Sequence, residues 1–192
     1  MRKIVTAGLM ACAIVFGFGC NQQQEGAVEE AQTTNEEQFE DSEMEDQKVN
    51  QSDFMTEAAS NGMFEVEAGR LAATQATNPE VKKFAQMMVT DHTAANKELM
   101  DLAQKKAITL PDSMGQNHMD HMKELREKKG ADFDKAYMDK METTHNDAVS
   151  LFEGASEDME DADVKAFATN KLPKLRQHYD GAQKLNETVK NK

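Results

Sequence analysis

The sequence holds no tryptophan, only two tyrosines, three prolines and two cysteines, and each scarcity excludes something. Aromatic and turn-forming residues are too few for a sheet protein. Long stretches of Ala, Glu, Lys, Leu, Met and Gln, the straight-chain helix formers, take their place and predict an all-α fold. Cys12 and Cys20 both lie at the extreme N-terminus, so the region beyond them has neither a disulfide framework nor a thiolate metal ligand. Positive charge is also scarce: 22 Lys and Arg against 35 Asp and Glu leave a net charge of -13. A phosphate-binding protein needs a basic face to release counterions, so a nucleic-acid partner is excluded. No nucleophile elbow, glycine-rich phosphate loop or Ser, His and Asp arrangement is present, and no catalytic residue is assigned.

What is present divides into three parts. Residues 1–20 open with Arg2 and Lys3, continue as an apolar run from Ile4 to Phe18, and end Gly17-Phe18-Gly19-Cys20. The run is a secretory signal, short for a membrane span. Its end resembles the lipobox of bacterial lipoproteins, with Gly17 and Phe18 where Leu and a small residue are usual. Cys20 is therefore the expected lipidation site, and the expected location is the cell envelope, membrane-anchored through that lipid and facing the periplasm. Residues 21–51 carry ten acids against the single Lys48 and are expected to be a disordered, self-repelling tether. Residues 52–192 show helical periodicity and form the expected domain.

Within that domain the apolar positions recur at alternating spacings of three and four. A first helix starts at Asp53-Phe54 and runs to about Thr77, with Met55, Ala58, Gly62, Glu65, Gly69 and Ala72 along one line. Glycine inside a helix is unfavourable by about 1 kcal/mol relative to alanine, so Gly62 and Gly69 point to a close packing partner. Asn78-Pro79 caps a second helix whose seam reads Val81, Ala85, Met88, His92, Ala95, Leu99, Leu102 and which closes at Lys105-Lys106. Residues 112–129 read as a short polar crossover helix. A third long helix carries Met138, Met141, His145, Ala148, Phe152 and Ala155. A fourth, after an acidic turn at 157–161, carries Val164, Ala168, Leu172, Leu175, His178, Ala182, Leu185 and Val189, with Pro173 expected to kink it. The predicted architecture is an antiparallel four-helix bundle with one short extra crossover helix.

Each of the last three seams has one polar interruption, and each interruption is a histidine. Counted from the turns at 1.5 Å per residue, Glu65, His92, His145 and His178 all fall near mid-bundle. One carboxylate and three imidazoles at one level make a plausible first-row metal site for iron, zinc or copper. Asp91 and Glu142 are further possible ligands or partners, Glu142 because Glu142-Thr143-Thr144-His145 reproduces a Glu-x-x-His spacing. The alternative is a metal-free network in which these buried polar groups satisfy one another, as a structural or stress-protective protein would use. A second cluster, His118-Met119-Asp120-His121-Met122, sits on the short helix. With twelve methionines beyond the signal segment it raises copper handling, against the simpler reading of exposed His and gap-filling Met.

Phe54, Glu65, Leu71-Ala72, Asn78-Pro79, Phe84-Ala85, Met87, Val89 and Asp91-His92-Thr93 together resemble a known pattern. Phe133-Asp134, Tyr137, His145, Phe152, Phe167-Ala168, Leu172-Pro173 and His178 continue it. The pattern is similar to that of the ferritin-like envelope proteins catalogued as domain of unknown function 4142, over Ser52 to Leu185. The resemblance implies a ferritin-like bundle in an exported, often lipidated protein, with Glu65, Asp91, His92, His145 and His178 as its interior set. It implies no activity.

Overall fold

The computed structural model describes residues 26–191. The expected signal segment and Cys20 lie outside the described residues. Among those described there are six helices and no strand: α1 (Ala27–Phe39), α2 (Glu45–Gln75), α3 (Pro79–Lys106), α4 (Gln116–Glu127), α5 (Gly130–Asp158) and α6 (Ala162–Lys190). None of them is long and apolar enough to cross a membrane.

Local signals place the ends of the long helices. Asn78 caps α3 by accepting from the Glu80 N–H, with Pro79 in the first turn where its missing N–H goes unnoticed. Asp161 caps α6 by accepting from the N–H groups of Asp163 and Val164. Lys105 and Lys106, at the negative end of α3, meet Asp163 and Asp161 at the positive end of α6, so dipoles and ion pairs favour the same alignment. The turn from α2 to α3 is held by a buried carboxylate. Asp134 of α5 accepts from the Thr77 and Asn78 N–H groups and from the Thr77 hydroxyl. Pro173 does not interrupt α6: it lies on the exposed face, where the carbonyl it leaves unpaired can meet water.

The helices form two hairpins, α2 with α3 and α5 with α6, which join through α2 against α5 and α3 against α6. Gly69 explains how closely the first hairpin packs. A Cβ there would lie 3.1 Å from the Ala85 carbonyl oxygen and 2.9 Å from a Val89 methyl. The apolar interior falls into two clusters. One gathers around Phe64, Met88, Tyr137 and Met141, the other around Phe54, Leu99, Phe152 and Leu175. Every seam passes from one cluster to the other across its histidine: Met88 to His92 to Leu99, Met141 to His145 to Ala148, Ala182 to His178 to Leu175. The core is therefore divided by one polar level.

Within the described part of the expected disordered tether, residues 26–51, the structure shows helix instead. Part of it is α1, and α2 begins at Glu45 rather than near Ser52. The acids obscure a stripe, Val28, Ala31, Asn35 and Phe39, whose spacing of three, four and four puts all of it on one buried face. Asn35 anchors that face by donating to the Thr109 carbonyl while accepting from the Thr109 N–H, at 2.9 and 2.8 Å. Gln38 donates to the Ala107 carbonyl, and the Lys48 ammonium lies over the Phe39 ring. The carboxylates are left on the solvent side.

Candidate metal centre

Three helices from both hairpins deliver one imidazole each to the polar level: His92 from α3, His145 from α5 and His178 from α6. One ring nitrogen of each lies within 4.8 Å of those of the other two, and all three residues are buried. The ring centroids stand 5.3 to 5.4 Å apart, and none of the three pairs is stacked face to face. The rings point inward rather than packing against each other.

Hydrogen bonds decide which nitrogen two of the three rings have to offer. His145 Nδ1 donates to the Met141 carbonyl at 2.8 Å, which leaves Nε2 with its lone pair. His178 Nε2 donates to Asp91 Oδ2 at 2.8 Å, which leaves Nδ1. His92 Nε2, His145 Nε2 and His178 Nδ1 are all buried without a hydrogen-bond partner. Three buried ring nitrogens without partners, two of them fixed as acceptors, are unfavourable in a metal-free protein, by about 1–3 kcal/mol each. They are the donor set a cation requires, and rings held from behind by a carboxylate or carbonyl are oriented as metal-binding histidines usually are.

Electrostatics favour the neutral rings that a metal needs. Burial, reinforced by His145 and His178 beside it, pushes His92 well below its ordinary 6.5. His178 is lowered to about 4 by burial and by His145, outweighing the pull of Asp91. Asp91 is raised by burial but more strongly lowered by its hydrogen bonds from His178 and Lys174, and ends below its usual value.

The expected residues thus separate. The three histidines come together. Asp91 stands behind His178, with Lys174 Nζ 3.3 Å from the same Oδ2. Glu65 sits behind His145 rather than among the free nitrogens: its Oε1 accepts from the Thr144 hydroxyl at 2.8 Å and lies 3.4 Å from His145 Nδ1. Burial raises Glu65 above the usual carboxylate range, against the opposing pull of His145 and Thr144. Glu142 is directed elsewhere and accepts from the Asn186 amide at 2.6 Å.

The second cluster is a separate place. His118 is buried, not exposed as the simpler sequence reading has it, because its Nδ1 pairs with the Ser60 hydroxyl at 2.8 Å and its ring stacks on Phe64. The Ser60 oxygen also accepts from the Gly115 N–H, which fixes the start of α4. Met122 is core, Met119 is exposed, and His118 and His121 are 6.2 Å apart between centroids.

One feature that sequence reasoning passed over lies beside the triad. A cavity of about 50 Å³ opens against His92 and His178, between Ala58, Leu99 and Phe152, with the side chains of Asn61 and Asn96 at its edge. Gly62, on its wall, lets Asn96 approach, since a Cβ there would stand 1.9 Å from Asn96 Oδ1. The one sequence signal is the unfavourable glycine inside α2.

The family profile described as Domain of unknown function (DUF4142) matches residues 22–185. The chain belongs to this DUF4142 family. The match begins at residue 22 rather than at Ser52, which makes α1 part of the DUF4142 region. Two solved structures are similar to this DUF4142 chain in fold. One, described as CopM in the Cu(II)-bound form, is 17% identical with a TM-score of 0.62, covering 72% of this chain and 96% of its own. The other, a secreted DUF305 protein from Streptomyces coelicolor, is 14% identical with a TM-score of 0.61, covering 72% and 93%. No curated protein matches the DUF4142 chain.

Proposed function

We propose that this protein binds one transition-metal ion at His92, His145 and His178, in a ferritin-like four-helix bundle formed by α2, α3, α5 and α6. The observation that carries the reading is the convergence of three buried, unpartnered ring nitrogens from three helices. Asp91 and the Met141 carbonyl set the tautomers of His178 and His145 from behind, and Asp91 supplies negative charge near the ion. In a metal-free structural network these nitrogens would have donors, and their lack of any favours the metal reading.

Imidazole suits copper, zinc and iron, and the divalent affinity order peaks at copper. The Cu(II)-bound description of CopM, a protein of similar fold, supports copper as the first ion to test. We place the protein at the bacterial cell envelope, held by lipid on Cys20, on the strength of its N-terminal sequence. Helix α1 would then begin seven residues after the lipidated Cys20.

The test is metal analysis of the chain without its signal segment, purified without an affinity His tag, beside a His92→Ala, His145→Ala double variant. Near-stoichiometric metal in the parent and none in a folded variant is the expected result. A folded parent that takes up neither copper, zinc nor iron on reconstitution would sink the proposal.

A further inference from the structure

We propose that the metal at the three histidines keeps one coordination position open toward the adjoining cavity, and that this position takes a small anion of two or three heavy atoms. The inference rests on the metal reading above and adds a ligand to it.

Geometry comes first. Three imidazoles from α3, α5 and α6 approach the centre from their own helices, while the cavity lies against His92 and His178 on the side where α2 presents Ala58 and Gly62. His92 and His178 border the cavity and His145 does not, which leaves that side of the centre clear of the third imidazole. A cavity of about 50 Å³ is more than a single water needs, since one water requires on the order of 10–15 Å³ measured this way. It is too small for an amino acid, a sugar or a nucleotide, which occupy pockets of about 300 Å³ and more. A triatomic ion is the size that fits.

Charge selects the sign. Three neutral imidazoles add nothing to offset a divalent ion, and a buried net charge is unfavourable unless it is paired. Asp91 lies on the cavity wall but is shared with Lys174, and Glu65 lies behind His145, so the ion's charge is offset only in part. Lys171 and Lys174 also stand on the cavity wall, paired with Glu98 and Asp91, so the wall's own charges roughly cancel and the ion's positive charge is what attracts an anion. Leu99, Phe152 and Phe167 add apolar wall beside Asn61 and Asn96, and the lower polarity there strengthens the attraction. Asn61 Oδ1 is buried without a partner at the same cavity. An amide has donors as well as an acceptor, so Asn61 can turn its NH₂ toward a bound anion.

The experiment uses the copper(II)-loaded chain and azide as the probe. The parent should develop an azide-to-copper charge-transfer band that saturates on titration, with metal stoichiometry unchanged. Ala95→Leu, a half-exposed position on the cavity wall one turn from His92, should retain the metal but bind azide roughly tenfold more weakly, about 1.4 kcal/mol. Should Ala95→Leu not fold, Lys174→Gln, an exposed residue, takes its place with the same expectation of normal metal and weaker azide. A parent that holds copper but shows no azide band overturns this inference and leaves the metal reading standing. Azide binding equal in parent and variants overturns the cavity as the route. Failure to hold copper, zinc or iron overturns both.

Discussion

Replacing His145 with leucine separates a metal site from a structural polar network more sharply than deleting any other residue. His145 is fully buried, its Nδ1 donates to the Met141 carbonyl and its Nε2 has no partner. The Met141 carbonyl keeps its place in the α5 hydrogen-bond ladder when the ring is removed, so the lost bond is worth about 1 kcal/mol. Removing the unpaired Nε2 returns about 1–3 kcal/mol, and exchanging one compact side chain for another of similar volume takes back less than about 1.5 kcal/mol. The metal-free variant is therefore expected within about 1 kcal/mol of the parent. With metal present the parent gains about 4 kcal/mol when free ion exceeds Kd a thousandfold, and the variant gains nothing. Chemical denaturation with chelator, and again with excess metal, reads both numbers from the same midpoints. A loss above about 3 kcal/mol in the metal-free variant would mean that Nε2 has native partners after all, and would refute the reasoning.

Three further outcomes follow from other parts of the molecule. Asp91→Ala should weaken metal binding by about 10–100-fold, because it frees the His178 ring to turn and lose its Nδ1 aim; competition with a chromogenic chelator measures it, and an unchanged affinity counts against the orienting role. Acid should destabilise the metal-free fold through His118, lowered to about 4 by burial and by His121: below its ordinary 6.5 the unfolded chain takes up the proton first, so stability is full above that value and falls toward pH 4. Between pH 7 and 5 the parent should lose about 2 kcal/mol more than a His118→Gln variant, and parallel pH curves would disprove it. Asp134→Ala should lower stability by about 3 kcal/mol, since it strips the turn from α2 to α3 of three bonds to a buried carboxylate, and a change under 1 kcal/mol in denaturant midpoint would show the turn holds without them.

Much of this was legible in the residues. Periodicities of three and four put Met138, Met141, Ala148, Phe152 and Ala155 on a buried face, and the structure buries all five. The same periodicity isolates His92, His145 and His178 as the polar interruptions of apolar seams, and those three converge. Height along an axis can be counted from a turn, but rotation about the axis is less forgiving. Glu142 lies three residues before His145 and so about 60° round the helix, enough to aim it at Asn186. Glu65 reaches the right level but on the far side of the His145 ring. Helix α1 escaped because ten acids dominate its neighbourhood while only four positions, Val28, Ala31, Asn35 and Phe39, carry the packing. The cavity depends on how Ala58, Leu99 and Phe152 fail to fill a corner, and no spacing rule encodes a void.

The three histidines belong to both hairpins, one on α3 and two on α5 and α6. An ion there would act as a rivet, joining segments far apart in the chain, in a protein whose two cysteines both lie at or before residue 20. Separating the hairpins would then require breaking a coordination bond first, so occupancy would govern how long the folded chain survives proteolysis as well as how stable it is at equilibrium. Metal supply would set the protein's lifetime.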